Sequence, residues 1–333
     1  MSTPTLPMVD LTTMPARVLG RFEQDSSAWH GARALGLGGS DMAAVCGLDK
    51  FQSPLEVWYE KTGAPVPRRE DPILDEAALM GHLQEPIVAR RFTDITGLPC
   101  WEGPGTLQSL EHEWMIANLD RFTLDRGVPG VVELKTRSSY ALAEWLDGVP
   151  TGPTIQVQHY FAVTGWQFGY VAALIGGQRT IVHRVERDDE LIADLIRIGE
   201  DFMRYVHADT PPPVDGSVAT GKLLDRLYAE MKLDPEPLVA DAAEVEKWLR
   251  IRRSAKEQAE AADAVATEAE NHLKDIAGPH AEVHIRGELA YSWRPKRGQV
   301  SWKKAALDAD PDLDPEPFRG KPSRTLNVHL ENL

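Results

Sequence analysis

Apolar residues recur at helical spacing in several segments of the first two hundred residues. In one segment they fill one side of a helix that begins near Leu83 and stops at Gly97. Pro86 is tolerated only in the first turn of a helix, so we expect Glu85 at the N-terminal end of this helix. Similar spacing predicts further helices, the first with Ser40 as its N-cap, over 40–45, 54–61, 155–164 and 189–206.

Short apolar runs between these helices predict strands. They cover 114–117, 131–135, 168–175 and 180–186, and glycine-rich turns follow the first and third runs. Strands that alternate with helices favour an α/β fold, which we expect to be a mixed sheet flanked by helices.

Changes in pattern and composition along the chain predict five segments. A loose lead-in over 1–25 precedes the main domain over 26–210, and a linker marked by Pro211-Pro212-Pro213 follows over 211–240. An Ala- and Glu-rich stretch then predicts one long helix over 241–277. Short apolar runs at 283–285, 289–293 and 325–330 predict a β-rich extension over 278–333. There a basic stretch, Trp293-Arg294-Pro295-Lys296-Arg297 with Trp302-Lys303-Lys304, is more typical of a solvated loop than of a single-strand DNA contact.

The composition is that of an ordinary globular protein, with 42% hydrophobic and 26% charged residues. The chain contains neither a run of about 18–20 apolar residues nor the pattern of a signal peptide. We therefore expect a cytoplasmic protein without a membrane segment. The only two cysteines, Cys46 and Cys100, exclude an all-cysteine zinc or iron–sulfur site and are expected to be reduced thiols.

The formal net charge is −15, from 51 acidic and 36 basic residues. A protein that binds DNA through its whole surface usually carries the opposite sign. An acidic excess instead suits an enzyme that gathers divalent cations with carboxylates and confines its positive charge to a groove.

The main candidate for chemistry is Asp120 followed by Glu133-Leu134-Lys135. Residues two apart on a strand share a face, so Glu133 and Lys135 present a carboxylate and an ammonium side by side. Asp120, at the end of the neighbouring strand, would share a hard cation such as Mg²⁺ with Glu133. Taken alone this pattern is weak, because an incidental ion pair on a surface strand gives the same residues.

The surrounding residues strengthen the hypothesis. Glu85 adds a third carboxylate, and Gln156 and Tyr160 stand one turn apart on the helix after the Glu133 strand. The order of strand-Asp, strand-ExK and helix-QxxxY is that of a PD-(D/E)XK nuclease core, which resembles restriction endonucleases. A partly buried amphipathic face remains the alternative for the two helix residues.

The chain resembles the YqaJ family of viral recombinases, which are relatives of the phage lambda exonuclease. The resemblance covers about residues 28–205. Its motifs are Trp29-His30-Gly31-Ala32-Arg33, Gly38-Gly39-Ser40-Asp41, Ser53-Pro54-Leu55 with Lys61-Thr62-Gly63, Gly81-His82-Leu83-Gln84-Glu85-Pro86, Ala117-Asn118-Leu119-Asp120, Glu133-Leu134-Lys135, Gln156-Val157-Gln158-His159 with Val163-Thr164-Gly165, and Gly176-Gly177 before Val185-Glu186-Arg187-Asp188.

The resemblance implies roles for these residues. It implies one or two Mg²⁺ or Mn²⁺ ions, held by Glu85, Asp120, Glu133 and Leu134. Lys135 would position the attacking water with support from Gln156, and Tyr160 would complete the catalytic set. Gln158 is an alternative to Gln156 as the glutamine that supports Lys135. Asp120 also departs from the family pattern, because it stands in Leu119-Asp120-Arg121 instead of the usual Pro-Asp-Gly.

A 5′-phosphate site is implied at Arg33 and Ser40. A glycine-rich turn before a helix is a general anion site, and Arg33 would add a bidentate contact. The simpler alternative is an N-cap beside a surface arginine. The glycine run lacks the Lys-Ser or Lys-Thr of a nucleotide-binding P-loop. Arg137 is the one nearby candidate for a further phosphate contact.

We therefore expect a metal-dependent deoxyribonuclease, a 5′ to 3′ exonuclease on linear double-stranded DNA that produces single strands for phage-type recombination. The resemblance also implies a ring-shaped homotrimer, a single-strand annealing partner and a phage- or prophage-encoded protein in a bacterial cell. The alternatives are a structure-specific or restriction-like endonuclease and a non-catalytic DNA-end-binding protein.

Overall fold

The structure is a computed structural model that describes residues 14–23, 26–67, 69, 71–229, 236–238, 240–298, 301–310, 313–315 and 318. The chain divides into two compact units, Met1–Glu230 and Met231–Leu333. In the part of the chain so described, no helix is both long enough and apolar enough to cross a membrane.

Two sheets organise the first unit. The smaller sheet is antiparallel, in the order β1-β3-β4, and consists of β1 (Ala16–Gly20), β3 (Thr106–Ser109) and β4 (Ile116–Asn118). The larger sheet has the order β2-β5-β6-β7-β8 and consists of β2 (Cys100–Glu102), β5 (Arg121–Asp125), β6 (Val128–Arg137), β7 (Phe168–Ile175) and β8 (Arg179–Glu186). Only β6 and β7 are parallel, so this sheet is mixed.

Eight α-helices surround these sheets in the described residues of the first unit. They are α1 (Ser27–Ala34), α2 (Gly39–Val45), α3 (Pro54–Thr62), α4 (Pro72–Thr96), α5 (Leu142–Leu146), α6 (Thr151–Thr164), α7 (Asp189–His207) and α8 (Val218–Ala229). The helix α6 makes the parallel crossover from β6 to β7, and ten of its fourteen residues are buried.

Alternate residues of β6 face opposite layers. Val131 packs with residues of α6, whereas Val132 and Leu134 pack with Val88 and Phe92 of α4. The helices α6 and α4 therefore cover opposite faces of the larger sheet, and this confirms the predicted α/β fold with a mixed sheet flanked by helices. The two-residue period places Glu133 and Lys135 on the α6 side.

The helix that carries Glu85 differs from the prediction. It begins at Pro72, and Asp71 caps it by accepting a hydrogen bond from the Leu74 amide at 3.1 Å. Pro86 lies inside this helix, which therefore lacks one main-chain hydrogen bond. Burial of the C-terminal half of the helix in the core offsets this loss. Glu85 is therefore a mid-helix residue.

Three shorter segments also differ from the sequence prediction. Part of the predicted lead-in forms β1, because it completes the smaller sheet against β3. Part of the predicted linker forms α8, which an ion pair between Arg226 and Glu56 joins to α3. The first residue of α2 is Gly39, so its N-cap is Gly38 and not Ser40.

The second unit has a long helix and short strands, as predicted, and two of these strands form a hairpin. The helix α9 (Ala242–Ala277) precedes β9 (Glu282–Ile285) and β10 (Glu288–Ser292), which pair antiparallel. Arg294, in the basic stretch after the hairpin, pairs with Glu282. Residues of the predicted loop around Trp302 form a helix instead, α10 (Trp302–Ala309). The strand predicted over 325–330 lies outside the described residues.

Candidate active site

The register of β5 and β6 brings Asp120 to Glu133. Arg121, the first residue of β5, is the partner of Val132, so Asp120 stands beside Glu133 across the antiparallel ladder. Its Oδ2 accepts a hydrogen bond from the Leu134 amide at 2.8 Å, which fixes the carboxylate against β6. Glu133 is only 1% exposed, so these two carboxylates meet at the buried end of a strand pair.

A continuous chain of contacts runs from Glu133 to α6. The Lys135 ammonium pairs with Glu133 Oε1 and donates a hydrogen bond to Gln156 Oε1 at 2.8 Å. Gln156 Nε2 in turn donates to the Tyr160 hydroxyl at 2.8 Å. Lys135 therefore has a fixed position between a strand carboxylate and a helix amide.

Burial and mutual repulsion perturb the carboxylates. The pKa of Glu133 is raised, first by burial and then by the charge of Asp120, although Lys135 opposes both effects. Its Oε2 atom is buried and has no hydrogen-bond partner. An unpaired carboxylate oxygen in a protein interior is costly, so this atom is a candidate for binding a ligand.

Glu85 approaches the site from α4. It lines a cleft of about 170 Å³ together with His82, Leu134, Lys135 and Arg137. His82 Nδ1 lies 3.0 Å from Glu85 Oε1. The pKa of Glu85 is raised by burial and by Asp120, which places it within electrostatic reach of the paired carboxylates.

The donors present fit a hard divalent cation of limited protein coordination. Among the described residues, no group of three or more His, Cys, Asp and Glu side chains is gathered to hold a metal ion. Asp120 and Glu133 do meet, and Glu133 keeps a buried oxygen without a partner. Mg²⁺ typically takes one or two carboxylates and leaves other positions to water and phosphate, so this pair satisfies its minimum need.

A second polar site forms around Asp41 of α2. The Arg33 guanidinium lies 2.7 Å from Asp41 Oδ1 and donates to the Ser40 hydroxyl at 3.3 Å. Lys61 Nζ lies 2.6 Å from Asp41 Oδ2, and the Lys61 side chain is 4% exposed. The Arg33 guanidinium also lies 4.9 Å from the centre of the Trp29 ring. Two cations therefore share one carboxylate.

Electrostatics keep Asp41 ionised in this cluster. Burial opposes its ionisation, but Lys61 and Arg33 outweigh burial and hold the pKa below its ordinary value. Two cationic side chains, Arg33 and Lys61, therefore lie beside the exposed Ser40 hydroxyl, and Glu60 lines the same pocket as a second carboxylate. The first turn of α2 offers little to an anion, because Asp41 Oδ2 already accepts the Gly38 amide at 2.8 Å. Cationic side chains, and not the helix terminus, make this pocket attractive to phosphate.

Gly39 joins the two sites. A Cβ atom at Gly39 would lie 2.7 Å from Tyr160 Cε1 and 3.0 Å from Gln156 Cγ. Only glycine allows this close contact of α2 with α6. The helix α2, which carries Ser40 and Asp41, therefore packs directly on α6, whose Gln156 contacts Lys135.

The structure also separates the two candidate glutamines. Gln158 is turned away from the Lys135 site, where its Nε2 donates to the Glu186 carbonyl at 2.7 Å and its Oε1 accepts the Asp188 amide at 2.9 Å. Arg137 is exposed at the end of β6, in the cleft that contains Glu85.

Sequence reasoning assigned no role to Lys61 or to Asp41 itself. Lys61 stands in the Lys61-Thr62-Gly63 motif at the end of α3, and Asp41 has capping-box spacing from Gly38. These two signals describe helix ends. They do not predict that α1, α2 and α3 meet at one carboxylate.

The chain is similar to known proteins of one family. Residues 28–167 match the YqaJ-like viral recombinase domain. The chain is 32% identical over 311 residues to the uncharacterized protein YqaJ of Bacillus subtilis (strain 168), and the match covers 91% of this chain and 94% of YqaJ.

Two solved structures share part of the fold at lower similarity. An alkaline exonuclease (LHK-Exo) from Laribacter hongkongensis is 22% identical, with a TM-score of 0.46 over 55% of this chain and 94% of that chain. A phage related exonuclease from Haemophilus somnus 129PT is 11% identical, with a TM-score of 0.36 over 54% of this chain and 98% of that chain. The match to YqaJ spans nearly the whole of both sequences, and the chain therefore belongs to the YqaJ-like viral recombinase family.

Proposed function

We propose that this protein is a metal-dependent deoxyribonuclease that digests linear double-stranded DNA from an end. The observation that carries the proposal is the buried pair of Asp120 and Glu133, linked through Lys135 to Gln156. Glu133 Oε2 is buried without a hydrogen-bond partner and lies on the carboxylate that meets Asp120, so an oxygen remains for a cation at this pair.

Asp120, Glu133 and the main-chain carbonyl of Leu134 would hold Mg²⁺ or Mn²⁺, and Glu85, which shares a cleft with Leu134 and Lys135, is close enough to Asp120 to interact with its charge. When bound, the cation polarises the scissile phosphate and favours deprotonation of a water molecule. It would also offset the repulsion by Asp120, which adds to burial in raising the pKa values of Glu85 and Glu133. The two perturbed carboxylates thus favour cation binding.

Lys135 supplies the fixed positive charge of the site. Its ammonium is held by Glu133 and Gln156 and has three protons, so one can hold the attacking water or stabilise charge that develops on the phosphate. Tyr160 is 3% exposed, and its hydroxyl accepts a hydrogen bond from Gln156 and so orients that amide. We assign Gln156 and Tyr160 to the positioning of Lys135.

The cluster of Arg33, Ser40 and Lys61 would bind the 5′-phosphate of a DNA end. Its two cationic side chains and the Ser40 hydroxyl suit a terminal phosphate, which carries more charge than an internal one. The pocket adjoins the hydrogen-bonded side chains of the catalytic site, because Gly39 packs against Gln156 and Tyr160. An end anchored beside the site by its 5′-phosphate favours 5′ to 3′ digestion, and Arg137 would contact a further phosphate in the cleft.

The acidic surface is compatible with this assignment. The net charge of −15 disfavours non-specific DNA binding, so contact with DNA would depend on the cations of the two sites. The nuclease would supply single strands for phage-type recombination, with a single-strand annealing protein as partner. A ring-shaped homotrimer would enclose the duplex and keep the enzyme on it.

Matched linear and circular duplexes, with and without a 5′-phosphate, test the proposal in Mg²⁺ and in EDTA. We expect loss of the linear form alone, only in Mg²⁺ and faster with the 5′-phosphate. Cleavage of circles would replace the proposal with an endonuclease. Binding of ends without cleavage in either Mg²⁺ or Mn²⁺ would replace it with a DNA-end-binding protein.

A further inference from the structure

The helix α9 carries an apolar face that the structure leaves exposed. It has 36 residues, which corresponds to a length of about 54 Å at 1.5 Å per residue. Within these described residues only Ala277 is buried. Trp248 is 57% exposed, Val265 68% and Ile276 68%. A helix of this length normally gains its stability from a buried face, so α9 has an unsatisfied one.

The exposed face follows a seven-residue repeat. Trp248, Ala255, Ala262, Ala269 and Ile276 recur at intervals of seven. Five further apolar residues fall between them on the same side of the helix, namely Ile251, Ala259, Val265, Ala266 and Leu273. These ten residues, which we call the α9 seam, have the spacing of a coiled-coil interface.

The α9 seam is symmetric about its centre. Trp248 and Ile276 each lie fourteen residues from Ala262, and Ala255 and Ala269 each lie seven residues from it. Large residues therefore mark both ends and alanines the middle. A copy of the same helix running in the opposite direction would match large with large and small with small.

The charges along α9 favour the same direction. From Lys247 to Lys256 there are five basic residues and no acidic ones, whereas from Glu257 to Glu270 there are five acidic residues and no basic ones. Two parallel copies would place like charges together. Two antiparallel copies would place the basic third of each helix beside the acidic part of the other.

Individual charged residues beside the α9 seam also face residues of opposite charge when two copies pair antiparallel. Arg252, Lys256 and Glu270 lie on one flank at helical spacing. Antiparallel pairing about Ala262 brings Glu270 of the second copy between Arg252 and Lys256. Glu270 lies 3.4 Å from Lys274 in its own helix and is exposed, so a second cation remains within its reach.

We propose that α9 pairs with α9 of a second copy of this chain, antiparallel and about a twofold axis at Ala262. The alanines at the centre let the two backbones approach closely, and the large residues at the ends bury the most apolar area. The proposal is independent of the nuclease assignment, since it uses no residue of the first unit. A ring of three copies cannot pair all its α9 helices internally, so in a homotrimer this pairing would join one ring to another.

Cysteine cross-linking of the full chain tests the pairing. In chains with Cys46→Ser and Cys100→Ser, an untagged Ala255→Cys chain is mixed with a tagged Ala269→Cys chain, and copper–phenanthroline with oxygen is the oxidant. We expect the disulfide to join the two different chains at least about tenfold more than either chain to itself. Self-linking of each chain would overturn the antiparallel direction. Linking no stronger than that of Ala264→Cys chains, which have the thiol on the opposite side of α9, would overturn the pairing.

Sedimentation equilibrium of the full chain gives an independent measure. Ala262→Glu places two carboxylates together on the axis, so we expect the dissociation constant of the α9 pairing to rise by at least about tenfold. Ala264→Glu makes the same change away from the seam and should leave it within about twofold. Equal effects of the two variants, with circular dichroism that shows the helix intact, would overturn the proposal.

Discussion

At the scale of residues, two glutamines on one helix illustrate how position decides role. Gln156 contacts Lys135 and Tyr160, whereas Gln158 bonds to the main chain at Glu186 and Asp188. Residues two apart on a helix point in nearly opposite directions. Gln156 therefore belongs to the candidate active site, and Gln158 fixes the connection between β8 and α7.

Leucine at each glutamine is expected to separate the two roles. Gln156→Leu removes the acceptor that holds Lys135 and should lower the cleavage rate about 10- to 100-fold, as loss of an outer-shell partner does. Gln158→Leu should lower the free energy of unfolding by about 1–3 kcal/mol instead, because it leaves main-chain groups unpaired. Single-turnover digestion and urea unfolding of both variants measure these effects. Loss of stability in Gln156→Leu and of cleavage in Gln158→Leu would contradict these two roles.

The sequence predicted those site residues that local periodicity controls. The two-residue strand period placed Glu133 beside Lys135, and their ion pair follows from it. It did not predict that Lys61 contacts Asp41, because that contact joins residues twenty apart on two different helices. Periodicity within a strand or a helix has no information about such packing.

At the scale of elements, the contact between α2 and α6 holds the two candidate sites together. Gly39 makes this contact possible, because any side chain would overlap Tyr160 and Gln156. The position of the phosphate pocket relative to Lys135 therefore depends on one missing Cβ atom.

Alanine at Gly39 is expected to disturb both stability and activity. Gly39→Ala should lower the free energy of unfolding by about 1–3 kcal/mol, as overpacking of a core does, and should also slow cleavage. Gly221→Ala is the matched control, since it lies within α8 with no atom within 4 Å of the new Cβ. That variant should be neutral or more stable by about 0.5–1 kcal/mol. Equal stability of the two variants in urea unfolding would contradict this role of Gly39.

Element boundaries were predicted well for α7, β7 and β8 and wherever a glycine ends a helix, whereas the starts of α4 and α6 were not. Gly63, Gly97 and Gly165 end α3, α4 and α6 in left-handed conformation, as expected. The first half of α4 was missed because its apolar residues, including Leu79 and Leu83, are exposed and give no buried stripe. Pro86 then suggested a helix start that the structure does not have.

At the scale of the whole molecule, His159 makes the stability of the first unit depend on pH. It is fully buried in α6 and donates a hydrogen bond from Nε2 to the Ile116 carbonyl at 3.0 Å. Burial lowers its pKa from 6.5 to about 4. The unfolded chain therefore binds a proton between these values and the folded chain does not. Stability from this group is present above pH 6.5 and is lost as the pH falls toward 4.

Gln in place of His159 isolates this contribution. Between about pH 7.5 and pH 5 the wild-type chain should lose about 2 kcal/mol more of its free energy of unfolding than His159→Gln does. The amide of glutamine keeps a donor for Ile116 but does not titrate in this range. Urea unfolding at the two pH values measures the difference. Parallel pH dependence in both chains would contradict the buried neutral histidine.

Family membership and the mixed sheet are features of the whole chain, and both were predicted from motifs in their order along the sequence. The long helix was predicted from its composition, but the smaller sheet was not, because β1 pairs with a strand some ninety residues away. The local pattern of apolar and polar residues does not predict contacts between residues so far apart in the sequence.

The proposed hydrolysis of DNA depends on the Asp120–Glu133–Lys135 site, and Glu133→Gln is its decisive test. The variant keeps the shape of the side chain but removes the charge, so it should fold normally and lose Mg²⁺-dependent digestion of linear duplex by at least about 100-fold. Glu190→Gln, at an exposed position in α7, is the matched control and should digest as the wild type does. Digestion by Glu133→Gln at the rate of Glu190→Gln would show that Glu133 takes no part in the reaction and would remove the basis of the proposed function.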